Sequence, residues 1–151
     1  MTITFVYTLS CVDDLVTQTV RSIRTLKTYV AGDQINVYFT PPIEDDDVEL
    51  INELNVNTIR TSEVTEPFNI QRISAPRGYG EKIHCCEVGT EQAVFLDCDT
   101  LILDDIWKVI EGDFDIKAKP RAAGVQHPQW RQMFEDHGQT YMDWMPNTGF
   151  I

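Results

Sequence analysis

The stretch VFLDCDTLILDD, residues 94–105, interrupts an apolar run with two carboxylates, Asp97 and Asp99. Two like charges one residue apart are unfavourable at the end of a buried strand, because repulsion and desolvation oppose them unless a cation or solvent compensates. Strand alternation predicts that both side chains point to the same side. In open α/β sheets, ligands bind at the carboxyl ends of the strands. The stretch therefore predicts a site for a hard divalent cation whose shell substrate phosphates complete. The alternative is a pair that hydrogen-bonds to a neighbouring loop.

The segments before this stretch alternate between short apolar runs and amphipathic ones. Residues 3–9 and 35–40 are apolar, β-branched runs typical of buried strands, and residues 12–30 carry apolar side chains at helical spacing. The acidic segment 43–54 predicts a second helix, and residues 56–60 predict a third strand. This β-α-β-α-β order predicts an α/β fold with a mostly parallel sheet flanked by helices.

The second half of the chain predicts further elements around the two carboxylates. We expect a long loop at residues 61–80, a short helix at 81–89 and the motif strand at 93–99. A helix at 104–112, a strand at 119–126 and a final helix at 128–138 should follow. Residues 101–103 are expected to return to the core, with Cys98 as a small spacer and Trp107 as a packing residue. Because residues 147–151 look like the start of a strand, we expect a single domain, 1–151, that forms the N-terminal part of a longer protein.

The composition argues against several classes of partner. The formal net charge is −12 over 151 residues, whereas nucleic acids and anionic membranes are bound by basic surfaces. No apolar run approaches the roughly 20 residues that span a bilayer, and we expect no secretory signal. The four cysteines, Cys11, Cys85, Cys86 and Cys98, form no C-x-x-C pair. We therefore expect reduced thiols in a cytoplasmic protein that binds neither nucleic acid nor membrane.

Residues 81–110, EKIHCCEVGTEQAVFLDCDTLILDDIWKVI, resemble the glycogenin-like retaining glycosyltransferases, family 8 with the Rossmann-like GT-A fold. In that family a helix with a basic residue, a short turn and a strand ending in Asp-x-Asp-Thr-Leu precede a helix that opens near Asp-Ile. The resemblance extends loosely upstream to FVYTLS (5–10) and INVYFTPPI (35–43). Downstream, the Asn-Thr-Gly at 147–149 is similar to the family's Asn-Ser-Gly. The resemblance therefore covers the chain as one nucleotide-sugar-binding domain.

The resemblance implies a transferase that moves a sugar from a nucleotide-diphosphate sugar, usually a UDP-sugar, to a glycan or protein acceptor with retention at the anomeric carbon. Asp97 and Asp99 would be the ligands of a Mn²⁺ or Mg²⁺ ion at the donor diphosphate, and this cation would offset the charge on the leaving UDP. Lys82 matches the basic residue on the preceding helix that contacts the donor. On this resemblance Asp97, Asp99 and Lys82 are the catalytic residues.

Other positions match the family's donor contacts. Thr8 and Leu9 match the end of the first strand, where the nucleoside lies, and Asn147 matches the residue that hydrogen-bonds the donor sugar. Leu15 stands where the family often has an aromatic residue that stacks on uracil. A leucine lacks the stacking and quadrupole terms of an aromatic ring, so the resemblance leaves the identity of the base open.

Two alternatives to this activity follow from departures from the family pattern. The family's third metal ligand, a histidine in a C-terminal His-x-x-Gly-x-Lys-Pro segment, has no counterpart, since His84, His127 and His137 are expected to be surface or packed residues. A non-catalytic nucleotide-sugar or metal-binding module would account for this. The haloacid dehalogenase-type phosphatases carry Asp-x-Asp-x-Thr, but here Thr100 follows Asp99 directly, which makes the phosphatase the weakest interpretation.

Overall fold

Four parallel strands form the central sheet in the computed structural model of the protein. They are β1 (Ile3–Ser10), β2 (Ile35–Thr40), β3 (Asn57–Arg60) and β4 (Gln92–Phe95). The strand order is β3-β2-β1-β4, and every neighbouring pair in this sheet is parallel. The predicted α/β fold with a parallel sheet is therefore confirmed. The structure describes residues 2–12, 14–61, 84, 87–112, 117, 119–120, 132, 135–138 and 146–147.

One face of the sheet carries the larger core and packs against helices. These are α1 (Leu15–Leu26), α2 (Asp45–Asn52) and α3 (Trp107–Ile110), and all three contribute to this core. Alternate residues of a strand face the same side, so β1 presents Phe5, Tyr7 and Leu9 to the core, each completely buried. The inward face of α1 consists of Val16, Thr19, Val20, Ser22, Ile23 and Leu26.

The opposite face of the sheet carries a smaller cluster. Val6, Tyr38 and Phe95, from three neighbouring strands, are its buried members. The His84 ring stacks on Tyr38 with a centroid separation of 5.4 Å and an interplanar angle of 2°. His84 Nδ1 lies 2.9 Å from a carboxylate oxygen of Glu87. His84 is buried and His137 is exposed, as predicted for a packed and a surface histidine, and His127 lies outside the described residues.

The chain that follows the carboxylate motif runs back along α1. The Ile102 N–H donates to Thr25 Oγ1 at 3.0 Å, and Trp107 Nε1 donates to the Tyr29 carbonyl at 3.0 Å. Trp107 also packs edge-on against Phe5, with ring centroids 5.7 Å apart, which confirms its predicted packing role. These contacts fix the start of this return segment on α1 and its end against β1.

The expectation that residues 101–103 all return to the core is wrong for two of the three. Ile102 packs against the core, but Leu101 is 54% exposed and Leu103 is 83% exposed. In an extended segment the middle residue faces away from its two neighbours, so the contact of Ile102 with α1 turns both leucines outward.

Several predicted boundaries also shift. Helix α1 spans Leu15–Leu26 instead of the whole of residues 12–30, and Asp14 stands at its N-cap position without a side-chain capping hydrogen bond. Helix α3 has four residues instead of the nine predicted at 104–112. At its start, the Asp105 side chain accepts the Trp107 N–H at 3.1 Å. A separate antiparallel pair joins β5 (Lys119–Pro120) to β6 (Pro146–Asn147).

The remaining predicted elements fall largely outside the described residues. These are the loop at 61–80, most of the helices at 81–89 and 128–138, and the strand residues 121–126 and 148–151. Among the helices that the structure does describe, none is long and apolar enough to cross a bilayer.

We expect Tyr7 to make the stability of the fold pH-dependent above pH 10. Its hydroxyl is buried and lies 2.8 Å from Ser22 Oγ, and burial raises the pKa of this phenol above its ordinary value of 10.0. A raised native pKa contributes stability that is complete below the unfolded pKa and is lost as pH rises past it, at up to about 1.4 kcal/mol per pH unit.

Urea unfolding between pH 8 and 11 measures this effect. Tyr7→Phe is expected to cost about 1 kcal/mol at pH 8, since it removes the Ser22 bond, and to show a shallower loss of stability above pH 10 than the wild type. The control is Tyr29→Phe, whose ring is 36% exposed and which should keep the wild-type slope. Equal slopes for the wild type and Tyr7→Phe would contradict the prediction.

Candidate functional site

The carboxylate turn that follows β4 lies beside the carboxyl-terminal part of β1, at a topological switch point of the sheet. From β1 the chain builds β2 and β3 on one side, and β4 then pairs with the other side of β1. In open α/β sheets, ligands bind outside the carboxyl ends of the strands where the strand order reverses in this way. Residues 8–10 of β1 and residues 97–99 after β4 lie at this edge of the sheet.

The carboxylate motif forms a turn immediately beyond β4. The Leu96 N–H donates to the Val6 carbonyl at 2.9 Å and extends the pairing with β1 by one residue. The Thr100 N–H then donates to the Asp97 carbonyl at 3.0 Å, which places Cys98 and Asp99 at the centre of a closed turn. The expectation of a strand that continues to residue 99 is therefore wrong, because the chain turns once the ladder with β1 ends.

The two carboxylates occupy different environments in this turn. Leu96 and Cys98 both belong to the larger core, so Asp97 between them lies toward the opposite face of the sheet. Asp97 is half-buried and Asp99 is exposed. The prediction that strand alternation points both side chains to the same side does not apply to Asp99, because the turn interrupts the strand. The two carboxylates instead lie on either side of one buried residue.

That common residue, Cys98, is held between two elements of the fold. Its Sγ donates to the Thr8 carbonyl of β1 at 3.2 Å, and the Thr19 hydroxyl of α1 lies beside it. Burial raises the pKa of Cys98 to about 11, the Thr19 hydroxyl opposes the rise, and the carboxylates of Asp97 and Asp99 add to it. The thiol is therefore protonated at neutral pH, and Cys98 is the packed spacer that the sequence predicts.

The structure brings some of the predicted site residues together. Thr8 is half-buried and its carbonyl accepts the Cys98 hydrogen bond, so it lies against the carboxylate turn. Leu9 is completely buried in the core, so only its backbone can face a ligand. Lys82 lies outside the described residues, and Asn147 is described only as part of β6, without its side chain.

Hydroxyl groups line the same edge of the sheet and were missed in the sequence. Ser10 Oγ and Thr40 Oγ1 lie 2.7 Å apart at the paired carboxyl ends of β1 and β2. Thr61, directly after β3, donates both its N–H and its hydroxyl to the Phe39 carbonyl. The signal was a hydroxyl residue at or just after the last position of successive apolar strands, which parallel pairing places at one edge of the sheet.

Acidic residues make this edge electronegative. Helix α2 begins with Asp45, Asp46 and Asp47 just after the carboxyl end of β2, and Asp45 forms an exposed ion pair with Arg60. Burial raises the pKa of the Cys11 thiol in the β1–α1 loop, and the Asp47 and Glu44 carboxylates add to the rise. With Asp97 and Asp99 these groups oppose the approach of an anionic ligand without a cation.

The donor set at the turn suits a hard divalent cation. Asp97 and Asp99 offer carboxylate oxygens, while the Cys98 thiol points into the core and is protonated, so it is not a ligand. Within the described part of the chain, no group of three or more His, Cys, Asp or Glu side chains is arranged to hold a metal. Two carboxylates fit Mg²⁺ or Mn²⁺ with water and phosphate completing the shell, and they do not fit a closed zinc site.

We expect Cys98 to be unreactive toward thiol reagents in the folded protein. At pH 8 a pKa of about 11 reduces the thiolate fraction about 100-fold relative to an ordinary thiol, and burial slows access further. Reaction with Ellman's reagent is measured on a variant that carries Cys11→Ser, Cys85→Ser and Cys86→Ser, with and without denaturant. A variant that keeps only half-buried Cys11 is the control and should react faster when folded. A folded-state rate for Cys98 close to its unfolded rate would show that the turn does not enclose the thiol.

Comparison with known proteins adds no assignment to this geometry. No family model matches the sequence, and no curated protein matches it either.

Proposed function

We propose that the protein is a metal-dependent glycosyltransferase of the retaining, glycogenin-like type with a GT-A fold. It binds a nucleotide-diphosphate sugar, with a UDP-sugar as the first candidate, and transfers the sugar to a glycan or protein acceptor. One observation carries the proposal: the Asp97–Thr100 turn lies at the carboxyl end of β4, beside the end of β1, at the switch point of a parallel sheet. Parallel α/β sheets bind nucleotides at such points.

The electrostatics of the edge support a requirement for metal. The carboxylates of Asp97 and Asp99 and the acidic start of α2 share the edge where a diphosphate would approach. The negative charge of a diphosphate is repelled by these carboxylates, and a cation between them offsets this repulsion. Binding of a nucleotide-diphosphate at this edge is therefore expected to depend on Mg²⁺ or Mn²⁺.

Each of these residues at the sheet edge has a role in this proposal. Asp97 and Asp99 hold the cation, which when bound offsets the negative charge that develops on the leaving nucleoside diphosphate. Thr8, at the end of β1, borders the nucleoside, and Ser10 offers a half-buried hydroxyl on the same strand. The roles of Leu9 at the nucleoside, of Lys82 at the donor phosphates and of Asn147 at the donor sugar rest on the family resemblance.

A non-catalytic nucleotide-sugar-binding module is the second candidate, and one observation favours it. Leu15, at the position where the family often has a stacking aromatic ring, is half-buried and packs against the core. It therefore offers little surface to a base, which weakens selection for uracil and lowers the affinity for the donor. A module that binds nucleotide sugars without transferring them tolerates such a loss better than an enzyme does.

Calorimetry with UDP-glucose, UDP-galactose and GDP-mannose, each with and without Mn²⁺, tests the donor site. We expect at least one sugar nucleotide to bind more tightly with Mn²⁺, and Asp97→Asn and Asp99→Asn each to weaken that binding at least about 10-fold. The matched control is Asp33→Asn, an exposed aspartate in the 3₁₀ turn before β2, at the opposite edge of the sheet, which should bind as the wild type does.

The outcomes separate the candidates. If no nucleotide sugar binds better with metal and Asp99→Asn changes nothing, the donor site is wrongly assigned. Metal-dependent binding followed by release of UDP in the presence of an acceptor supports the transferase. Metal-dependent binding without any turnover supports the module. Hydrolysis of a phosphate monoester that Asp97→Asn abolishes would support the phosphatase.

A further inference from the structure

We propose that Cys98 is a positioning residue, whose thiol fixes the carboxylate turn on β1 and α1 so that Asp97 and Asp99 are prearranged for a divalent cation. This inference rests on the proposed function, since it concerns the same metal-binding turn. The Asp-x-Asp pattern does not specify its middle residue, and the inference gives Cys98 a function at that position.

The contacts of Cys98 carry the inference. The side chain is 8% exposed and belongs to the same core as Leu96 and Ile106, on either side of the turn. Its Sγ donates to the Thr8 carbonyl at 3.2 Å, and the Thr19 hydroxyl lies beside it. One side chain therefore joins the turn to the end of the central strand and to the helix that follows it.

The position of this anchor within the turn gives it a role that the neighbouring anchors lack. The backbone of the motif is tied to the fold at Leu96, through the Val6 carbonyl, and at Ile102, through Thr25. Both ties lie outside the two carboxylates. Of these three anchors, Cys98 alone lies between Asp97 and Asp99, so it sets how the two residues are arranged relative to each other.

A fixed turn matters because the two carboxylates repel each other in the absence of a cation. A free turn would move Asp97 and Asp99 apart, and binding the cation would then have to bring them together again. Holding them in place during folding removes that cost from the binding step. Residues that orient metal ligands in this way typically change metal affinity about 10- to 100-fold when they are replaced.

Three variants test the inference by titration with Mn²⁺ and a UDP-sugar. Cys98→Ala removes the donor and the buried sulfur, and it should weaken metal-dependent binding about 10-fold or more. Cys98→Ser keeps a donor for the Thr8 carbonyl and should recover most of that loss. Val30→Ala is the matched control, because it removes buried volume four residues beyond the end of α1 and should lower stability without changing the affinity.

Amide hydrogen exchange gives a readout that needs no ligand. Cys98→Ala should speed exchange of the Thr100 amide, whose N–H closes the turn, more than Val30→Ala does. At the Lys27 amide, the two variants should exchange at the same rate. The Lys27 amide bonds within α1 and reports stability alone.

The results distinguish the inference from the proposed function. If the wild type shows no metal-dependent binding, the proposed function fails and this inference fails with it. If the wild type binds but Cys98→Ala binds equally well, only the inference is overturned. Equal losses in Cys98→Ala and Val30→Ala, or equal losses in the Ala and Ser variants of Cys98, also overturn it, because they assign the effect to stability or to volume.

Discussion

The parallel pairing of β1 with a strand on each side is the constraint on which the rest of the structure depends. β1 is buried on both faces, with Phe5, Tyr7 and Leu9 in the larger core and Val6 in the smaller one. A strand buried in this way has no free edge, so its polar carboxyl end is the part that a ligand can reach. β2 and β4 pair with β1 on opposite sides, and in open parallel sheets ligands bind at the carboxyl ends of the strands where the strand order reverses.

The elements of the first 60 residues could be predicted because their signals are local. The period of apolar residues changes from two to 3.6 between β1 and α1 and again between β2 and α2, and each change is visible within ten residues. The placement of β4 beside β1 could not be predicted in this way, since it depends on contacts between segments about 90 residues apart, such as Val6 with Phe95. The sequence indicated only that β4 belongs to the same parallel sheet, because connections between parallel strands follow general rules.

The candidate site was predictable in position but not in shape. Asp97 and Asp99 were found because like charges at the end of an apolar strand need a compensating group. Their arrangement depends on where the ladder with β1 stops, and the sequence carries no sign that it stops at Leu96. In the same way, the sequence does not show which residue of Leu101 to Leu103 faces inward, because the contact of Ile102 with α1 decides it.

The buried thiol and the two carboxylates depend on each other. Burial raises the pKa of the Cys98 thiol and the Asp97 and Asp99 carboxylates add to the rise, so the sulfur keeps its proton. That proton is the one donated to the Thr8 carbonyl, and the bond holds the turn against β1. A more hydrophobic residue at this position would fill the core but leave the carbonyl without this donor, and a charged one would not be buried. A small, neutral, hydrogen-bonding side chain is therefore what the repulsion between the carboxylates and the packing of β1 together require at residue 98.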